Sequence, residues 1–513
     1  MLNNVRISLA ELLGNEYMDA VKACAEALLG MDRAEADALA AEEMDCLDAR
    51  TAELVESLAD SVGKNVFNRF DDGCPGAATA AFRQAAHSSA APVGGLGCYR
   101  VGEDGRVYLT SKSEHYQTPL GHNFGGYKLI NNARRLGILN ATHNNTRGYI
   151  VRLLERELVR TVNGLERSQT KELDAVIASE QPKVLNRVLN LETGSLACEA
   201  AIKMMLSRFY RLDGTFPRRK YEGKTPVFLV MGDYEGGMQA NYHGTTVFAQ
   251  TMRGLWPALR TGCEAQGLYK VVPVKINDIA DFEEKLKTYN QGGYKTAGFI
   301  HEIVLMNYGG ILLTREYLQA AYALCERYDT PAMADEIQSC MWYSGMYLFR
   351  HYGLAPDFVI LGKGFPGGEY PASRVITTAE MDSLNQFGAL VTNGQEELAS
   401  LAYLITMEFV QVNGDAVDAL GSDIERRFQA LAEKNPRLIE KVEGKGHLIA
   451  VHFYDVEHAV KFVKKLNEAC FDISAQTYKA NCPPAALLKL PLVTPKRALD
   501  VLAEKAAEAI STM

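Results

Sequence analysis

The sequence predicts an α/β fold with a mainly parallel sheet, a smaller α+β region towards the C-terminus and a helical extension at the N-terminus. Three observations carry this prediction. Between about residues 184 and 377, short continuous apolar runs alternate with loops and amphipathic helices, as in parallel strands covered on both faces. Before this region the chain is rich in helix formers. After it, helical stretches flank an alternating strand pattern.

Composition excludes several classes of protein. The 513 residues leave room for two or three domains around a large core, and 47% hydrophobic with 23% charged residues is ordinary soluble usage. A net charge of -9 argues against a nucleic-acid surface and favours small, often anionic, substrates. The sequence shows neither a signal-peptide pattern nor an apolar run of bilayer length, so a cytoplasmic protein without membrane partners is predicted.

Ten scattered cysteines form no Cys-x-x-Cys pair and have no histidine at metal-ligand spacing. This pattern favours buried or idle thiols in a reducing compartment, and it predicts no metal site.

The domain prediction follows composition along the chain. Residues 1–98 are expected to be a helical extension with two or three acidic amphipathic helices that cover part of the main body, rather than a partner-binding module. Within it, the Gly-, Ala-, Ser- and Pro-rich part from 71 to 97 predicts an irregular connection. Residues 99–390 are expected to form the large domain, which includes a first piece of the small one, and 391–513 the rest of the small α+β domain.

Individual elements can be predicted inside these regions. Asp104-Gly105 between alternating residues indicates a hairpin. A helix over 315–328 shows an apolar stripe at Leu318, Ala321, Tyr322 and Cys325. The predicted strands of the sheet are Val227–Met231, Ala297–Ile300, Ala332–Ala334 and Phe358–Leu361. A long helical stretch after 393, a strand at 447–453 and a last helix from 495 complete the chain.

Two polar residues directly follow predicted strands, where ligands collect in open α/β sheets. Asp335 places a carboxylate after one strand, and Lys363 places an amine between two glycines after another. A partly desolvated lysine there is a candidate nucleophile for a carbonyl group. The alternative is a structural ion pair between Lys363 and Asp335.

A third feature is the turn at Thr193-Gly194-Ser195, which leads into a helix whose core stripe includes Cys198. Its first N–H groups can bind a phosphate, although many helices begin in this way for capping alone. Walker A and strand-linked Gly-x-Gly-x-x-Gly patterns are absent from the sequence. A lysine, a carboxylate and a phosphate cup together match the needs of pyridoxal 5'-phosphate.

Three stretches carry a family resemblance by their order and spacing: Ala334-Asp-Glu-Ile-Gln338, His351 to Gly364, and Gly367-Gly-Glu-Tyr-Pro371. From about Tyr99 to the C-terminal helix, the chain resembles the class III, or subgroup II, aminotransferases of the fold type I aspartate aminotransferase superfamily. The resemblance implies a mainly parallel seven-stranded sheet, pyridoxal 5'-phosphate as cofactor and a homodimer whose sites are shared between subunits.

The resemblance also implies roles for individual residues. Lys363 is expected to form the Schiff base and shuttle a proton, Asp335 to pair with the pyridinium nitrogen, and Gln338 to neighbour the ring hydroxyl. Thr392 corresponds to the threonine by which one subunit reaches the phosphate held by the other. The implied cofactor-binding set is Gly194, Ser195, Tyr242, His243, Glu302, Asp335, Gln338, Lys363 and Thr392.

Departures from the family pattern concern mainly the substrate side. Thr245 stands where the family often has an arginine that grips a substrate carboxylate, and Lys489 stands for another usual arginine. Both are predicted substrate contacts, with Lys489 offering a point charge instead of a planar fork. Tyr242 is the predicted stacking ring, and Tyr234 is a rival because the segment carries an insertion.

The predicted function is transfer of an amino group from an amine or amino acid, ω-amino acids included, to a 2-oxo acid. Racemases, aminomutases, decarboxylases and phospho-lyases of the same cofactor class share the cofactor residues and remain alternatives. Two readings from other classes are an NAD-dependent dehydrogenase and a non-catalytic dimer that retains the fold.

Overall fold

Seven strands form the central sheet of the computed structural model, which describes residues 2–69, 76–85, 91–112, 117–140, 145–476 and 482–513. Their order in the sheet is Leu185–Leu191, Ser373–Thr378, Phe358–Leu361, Ala332–Asp335, Tyr294–His301, Thr225–Met231 and Lys270–Val274. Four neighbouring pairs are parallel, and Ser373–Thr378 runs antiparallel to both of its neighbours. The predicted mainly parallel α/β sheet is confirmed, as are the four strands located from apolar runs.

Several helices of the large region bury one apolar face against its core. The Arg315–Arg327 helix buries Leu318, Ala321 and Cys325, which confirms the predicted stripe. The α-helices of the described large region are Lys128–Arg135, Tyr149–Val162, Thr170–Ile177, Gly194–Leu206, Val247–Met252, Pro257–Ala265, Ile279–Thr288, Arg315–Arg327, Leu348–His351 and Gln386–Ala389. A short hairpin, Val304–Leu305 with Ile311–Leu312, follows the Tyr294–His301 strand.

The N-terminal region is helical, with more helices than predicted. Within residues 2–69, four α-helices span Leu9–Leu13, Asn15–Cys24, Arg33–Ala41 and Ala49–Ser57, and Arg6–Ile7 pairs with Met44–Asp45. Gly14 divides the first two helices because its φ of 84° lies in the left-handed region. Leu9, Leu13 and Met18 are buried in the main hydrophobic core, so this region covers the main body as expected. The predicted irregular connection over 71–97 lies partly outside the described residues; its described part holds the Ala80–Ala85 helix and the Pro92–Leu96 strand.

A second hydrophobic core joins residues from both ends of the chain. Val55 and Leu109 pack in it with Phe428, Phe462 and Leu502. The predicted Asp104–Gly105 hairpin is present, and Phe471–Asp472 pairs in parallel with its Val107–Thr110 strand. Domain boundaries at 98 and 390 follow chain order alone, and they stay a prediction.

The C-terminal region contains an antiparallel four-stranded sheet of Ile439–Lys445, Leu448–Phe453, Ala485–Leu488 and Ser474–Gln476. Its helices are Glu397–Val412, Gly414–Lys434, Val456–Glu468 and Lys496–Ser511. The first two correspond to the predicted long helical stretch and the last to the predicted final helix, whereas Val456–Glu468 was not predicted. The remaining strands, Pro92–Leu96 and Tyr99–Gly102, pair with each other beside Val107–Thr110. Over the part of the chain that the structure describes, none of the helices combines the length and apolarity needed to cross a bilayer.

Candidate active site

A cavity of about 210 Å³ gathers most of the predicted cofactor residues. Asp335 and Lys363 reach it from the carboxyl ends of neighbouring parallel strands, where such sheets place their ligands. Its lining residues are Gln117, Glu192, Thr193, Gly194, Ser195, Cys198, Tyr242, His243, Gly244, Asp335, Ile337, Gln338, Lys363, Pro371 and Ala372. Seven of the nine residues predicted to bind the cofactor therefore surround one space.

Three donors orient the Asp335 carboxylate. Oδ1 accepts from the Ile337 N–H at 3.1 Å, and Oδ2 lies 2.7 Å from His243 Nδ1 and 3.4 Å from Cys198 Sγ. Asp335 and His243 are both almost fully buried. In the described part of the chain Asp335 is paired with His243, and the structural ion pair with Lys363, the alternative left open by the sequence, is not formed. The Lys363 amine is left to face the cavity.

Lys363 sits in a backbone conformation that side-chain-bearing residues rarely adopt. Its φ is 49°, in the left-handed region, and Gly362 precedes it immediately after the Phe358–Leu361 strand. Such outliers cost about 1–3 kcal/mol each and cluster at functional sites, where the surrounding structure holds them in place. The turn presents the amine to the cavity instead of continuing the strand.

The Gly194–Leu206 helix points its N-terminus at the same cavity. Thr193 caps it by accepting from the Leu196 N–H, and the other N–H groups of the first turn are available for an anion. A side chain at Gly194 would place its Cβ 2.9 Å from Ile337 Cδ1, and one at Gly244 would stand 2.6 Å from Ser195 Cα. Glycine is therefore required at position 244 for the loop to approach the helix this closely, whereas at Gly194 the neighbour is the flexible end of the Ile337 side chain.

The structure brings Tyr242 to the cavity and leaves Tyr234 outside its lining. Tyr234 is 59% exposed and its ring contacts Tyr308. The Tyr242 ring has the Arg253 guanidinium 5.0 Å from its centre. Of the two candidates for the stacking ring, Tyr242 is the one with access to the cavity.

Four predicted residues lie outside the lining of the cavity. Thr245 is exposed, and its N–H donates to Ser195 Oγ at 3.0 Å beside the helix N-terminus. Glu302 is buried after the Tyr294–His301 strand. Thr392 is exposed in a turn before the Glu397–Val412 helix. Lys489 is buried, and its Nζ donates to Gln338 O at 2.7 Å and to Gln338 Oε1 at 3.3 Å.

The sequence did not single out Cys198 as part of the site. The spacing of the cysteines predicted idle thiols, and the helix stripe placed Cys198 in the core. It is buried, but its thiol contacts Asp335, and the possible ligand atoms of Cys198, His243 and Asp335 lie within 4.8 Å of one another. Burial raises the pKa of the Cys198 thiol well above its usual value, so the neutral thiol is favoured. A contact between residues 198, 243 and 335 has no signature in sequence spacing.

Glu336 is buried next to Asp335 in the chain, and it makes the free energy of unfolding depend on pH. Phe349 N–H donates to its Oε1 at 2.6 Å, Ser339 donates to Oε2, and burial raises its pKa from 4.5 to about 7. The folded state therefore favours the protonated acid. Its contribution is complete below pH 4.5 and is lost as the pH rises through about 7.

Between these two pH values, Glu336 should lower the unfolding free energy of the natural protein by at most about 3 kcal/mol. We expect that Glu336→Gln does not show this decrease. The neutral amide can keep an acceptor for Phe349 and place its NH2 group on Ser339. Chemical denaturation of both proteins at several pH values measures the difference. Parallel stability curves for the two proteins across this range would contradict the assignment.

Comparison with known proteins gives the family. The sequence model of the class-III aminotransferases matches residues 83–474, more than two thirds of the chain. The chain belongs to the class-III aminotransferase family. This membership confirms the resemblance predicted from the sequence, and with it pyridoxal 5'-phosphate as the cofactor.

Individual relatives of this class-III chain are distant. An ornithine aminotransferase of Emericella nidulans is 28% identical over 276 residues, 52% of this chain and 56% of the relative. A putrescine aminotransferase of Pectobacterium atrosepticum is 27% identical over 320 residues, 61% of this chain and 63% of the relative. The alignments thus span less than two thirds of these curated relatives.

Solved structures extend the likeness of the fold. A phospholyase from Arthrobacter, solved in complex with phosphoethanolamine, superposes with a TM-score of 0.64 at 18% identity, over 82% of this chain and 94% of that one. The superposition agrees with the fold type I architecture predicted for this class-III chain.

The cavity of this class-III chain has the chemistry that the cofactor requires. It contains one lysine amine, one oriented carboxylate and one helix N-terminus, which suit an aldehyde, a pyridine nitrogen and a phosphate respectively. The residues present therefore fit pyridoxal 5'-phosphate.

Proposed function

We propose that this protein is an aminotransferase that moves an amino group from an amine or amino acid to a 2-oxo acid, with Lys363 as the covalent attachment point of the cofactor. The observation that carries the proposal is the convergence of Lys363, Asp335 and the Gly194–Leu206 N-terminus on one cavity. An unrelated use of the cavity would not require these three groups together.

Each residue has a distinct task in this proposal. The bound cofactor would supply an aldehyde and an electron-withdrawing ring. The Lys363 amine, once released by an incoming amine, accepts and returns the proton at the substrate carbon. Asp335 holds the ring nitrogen in its protonated form, and His243 and the Ile337 N–H hold Asp335 in place. Gly194 and Ser195 bind the phosphate, and Tyr242 packs on the ring.

The chemistry of the cavity points to the class of amino donor. Among the described residues that line it, none is an arginine, so a planar two-donor grip on a carboxylate is missing there. Two similar proteins are named for ornithine and putrescine, compounds that each carry a terminal amine. We therefore propose a donor whose reacting amine is terminal, such as a diamine or an ω-amino acid.

The test combines trapping with transfer. Protein loaded with the cofactor is reduced with borohydride and digested, and mass spectrometry should find the pyridoxyl group on Lys363. Putrescine or ornithine carrying a 15N label on the terminal amine should then label the amino acid formed from a 2-oxo acid. A pyridoxyl group on another lysine, or no transfer of label from any amine in the panel, would overturn the proposal.

Phospho-elimination is a second candidate function, favoured by the likeness to the Arthrobacter phospholyase. Both reactions begin with loss of the same substrate proton, but elimination releases inorganic phosphate and does not label a 2-oxo acid. Incubation with phosphoethanolamine and measurement of released phosphate separates the two reactions.

The proposal includes a cytoplasmic homodimer with the domain division 1–98, 99–390 and 391–513. All nine cysteines in the described residues are free, which suits a reducing compartment. The exposed Thr392 would donate to the phosphate bound by the other subunit.

Thr392→Ala is expected to weaken cofactor affinity by about tenfold, because a hydroxyl donor to a charged group contributes roughly 1.5 kcal/mol or more. Thr392→Ser keeps the hydroxyl and should retain the affinity. Equilibrium dialysis of the cofactor measures both variants at a dimer-saturating concentration. Equal affinity of a folded Thr392→Ala protein would show that the hydroxyl does not reach the phosphate.

A further inference from the structure

Lys489 is buried beside the proposed cofactor site and contacts Gln338, a residue that lines the cavity. It is 1% exposed and follows the Ala485–Leu488 strand. Its ammonium stands 4.6 Å from the centre of the Trp342 ring and donates to both oxygens of Gln338. Gln338 lines the cavity, whereas Lys489 is not one of its lining residues.

The hydrogen bond from Lys489 determines the orientation of the Gln338 side-chain amide. An ammonium has donors and no acceptor, so the side-chain atom of Gln338 at 3.3 Å must be the carbonyl oxygen. A planar amide carries its NH2 group on the other side from the bonded oxygen. The end of the amide directed away from Lys489 is therefore a donor, although oxygen and nitrogen of an amide are otherwise hard to tell apart.

The second bond keeps this arrangement rigid. Lys489 Nζ donates to the backbone oxygen of Gln338 at 2.7 Å, which fixes the segment that directly follows Asp335 and Glu336. The ammonium also contacts the face of the Trp342 ring. The Lys489 ammonium therefore binds a residue of the cavity wall. From this position it does not directly contact a substrate in the cavity.

We infer that Lys489 is a positioning residue that holds the Gln338 amide with its NH2 group towards the ring oxygen of the cofactor. This inference rests on the proposed function, and it replaces the expected direct contact between Lys489 and a substrate carboxylate. Because it is bonded to Gln338, the Lys489 charge would lie on the side of the site where Gln338 meets the ring oxygen, and it would disfavour an additional proton on the bound cofactor.

The experiment compares Lys489→Met with Lys489→Arg in the full chain. Lys489→Met should weaken cofactor affinity by about tenfold or more, because an oriented donor to a charged oxygen is lost. It should also raise the pH at which the absorbance of the bound cofactor is half changed. Lys489→Arg keeps charge and donors, and it should restore both properties at least in part. KM for amines with and without a carboxylate should change alike.

A matched control is Lys295→Met. Lys295 is also buried, and its Nζ also donates to a side-chain amide oxygen, that of Asn290 at 2.7 Å, and to a backbone carbonyl, that of Tyr328. It is not a lining residue of the cavity. This variant should lose thermal stability without a change in the cofactor absorbance midpoint, which separates general loss of a buried lysine from the effect on Gln338.

Action through Gln338 predicts non-additive effects. In a Gln338→Leu background, Lys489→Met should change cofactor affinity much less than it does in the natural sequence. Fully additive effects would overturn the inference. It would also be overturned if Lys489→Met raised KM only for carboxylate-bearing donors and left affinity and absorbance unchanged. If the natural protein fails to form the Lys363 adduct, the proposed function fails instead.

Discussion

Replacing Lys363 with alanine is expected to abolish turnover and the borohydride-trapped adduct while the protein stays folded. The amine lines the cavity and is not paired with Asp335, so its removal leaves no unpaired buried carboxylate. Cofactor can still bind without a covalent bond through the helix N-terminus and Asp335. We expect a loss of rate of at least about 10⁴-fold, because one residue supplies both the nucleophile and the proton acceptor.

Peptide mapping after reduction and a thermal melt together check this result. Lys363→Arg is the matched control, because it keeps a positive charge at the turn but cannot attack the aldehyde. Both variants should melt close to the natural protein when no cofactor is added. A comparable large drop in stability for both, with adduct still formed elsewhere, would instead fit a structural lysine.

Asp335→Asn is expected to keep the Lys363 adduct and lose about 10²–10³-fold in rate, the size of effect seen when one preorganised electrostatic group is removed. An amide cannot hold the ring nitrogen protonated, so the cofactor would lose its strength as an electron sink. The amide oxygen can still accept from the Ile337 N–H, which now donates to Oδ1 at 3.1 Å. Single-turnover measurements with a terminal amine test the expected loss.

Two further variants, Asp335→Glu and His243→Gln, separate the effect of the Asp335 charge from the effect of its hydrogen bond with His243. Glutamate keeps the charge and should recover part of the rate. His243→Gln keeps a donor near Asp335 Oδ2, now 2.7 Å from His243 Nδ1, and should have a smaller effect than Asp335→Asn. A rate for Asp335→Asn equal to that of the natural protein, in a variant that forms the adduct, would remove Asp335 from the chemistry.

Several features followed directly from the sequence. The strands Ala332–Asp335 and Phe358–Leu361 are continuous apolar runs because both of their faces are buried, and such runs are recognisable without a structure. Asp335 and Lys363 come directly after them, and parallel strands end at one edge of the sheet. The sequence by itself therefore determined the α/β class, the edge of the sheet where the candidate site lies, and the presence of Asp335 and Lys363 at that edge.

The tertiary structure decided the contacts between distant segments. The pairing of Asp335 with His243 and Cys198, in place of Lys363, joins a loop, a helix and a strand that are far apart in the chain. The burial of Lys489 against Gln338 depends on how the Ala485–Leu488 strand packs beside the main sheet. Hydrophobic periodicity indicates which face of a helix or strand is buried. It does not indicate which other element packs against that face. For that physical reason the contacts of Cys198 with Asp335 and of Lys489 with Gln338 emerged only from the folded chain.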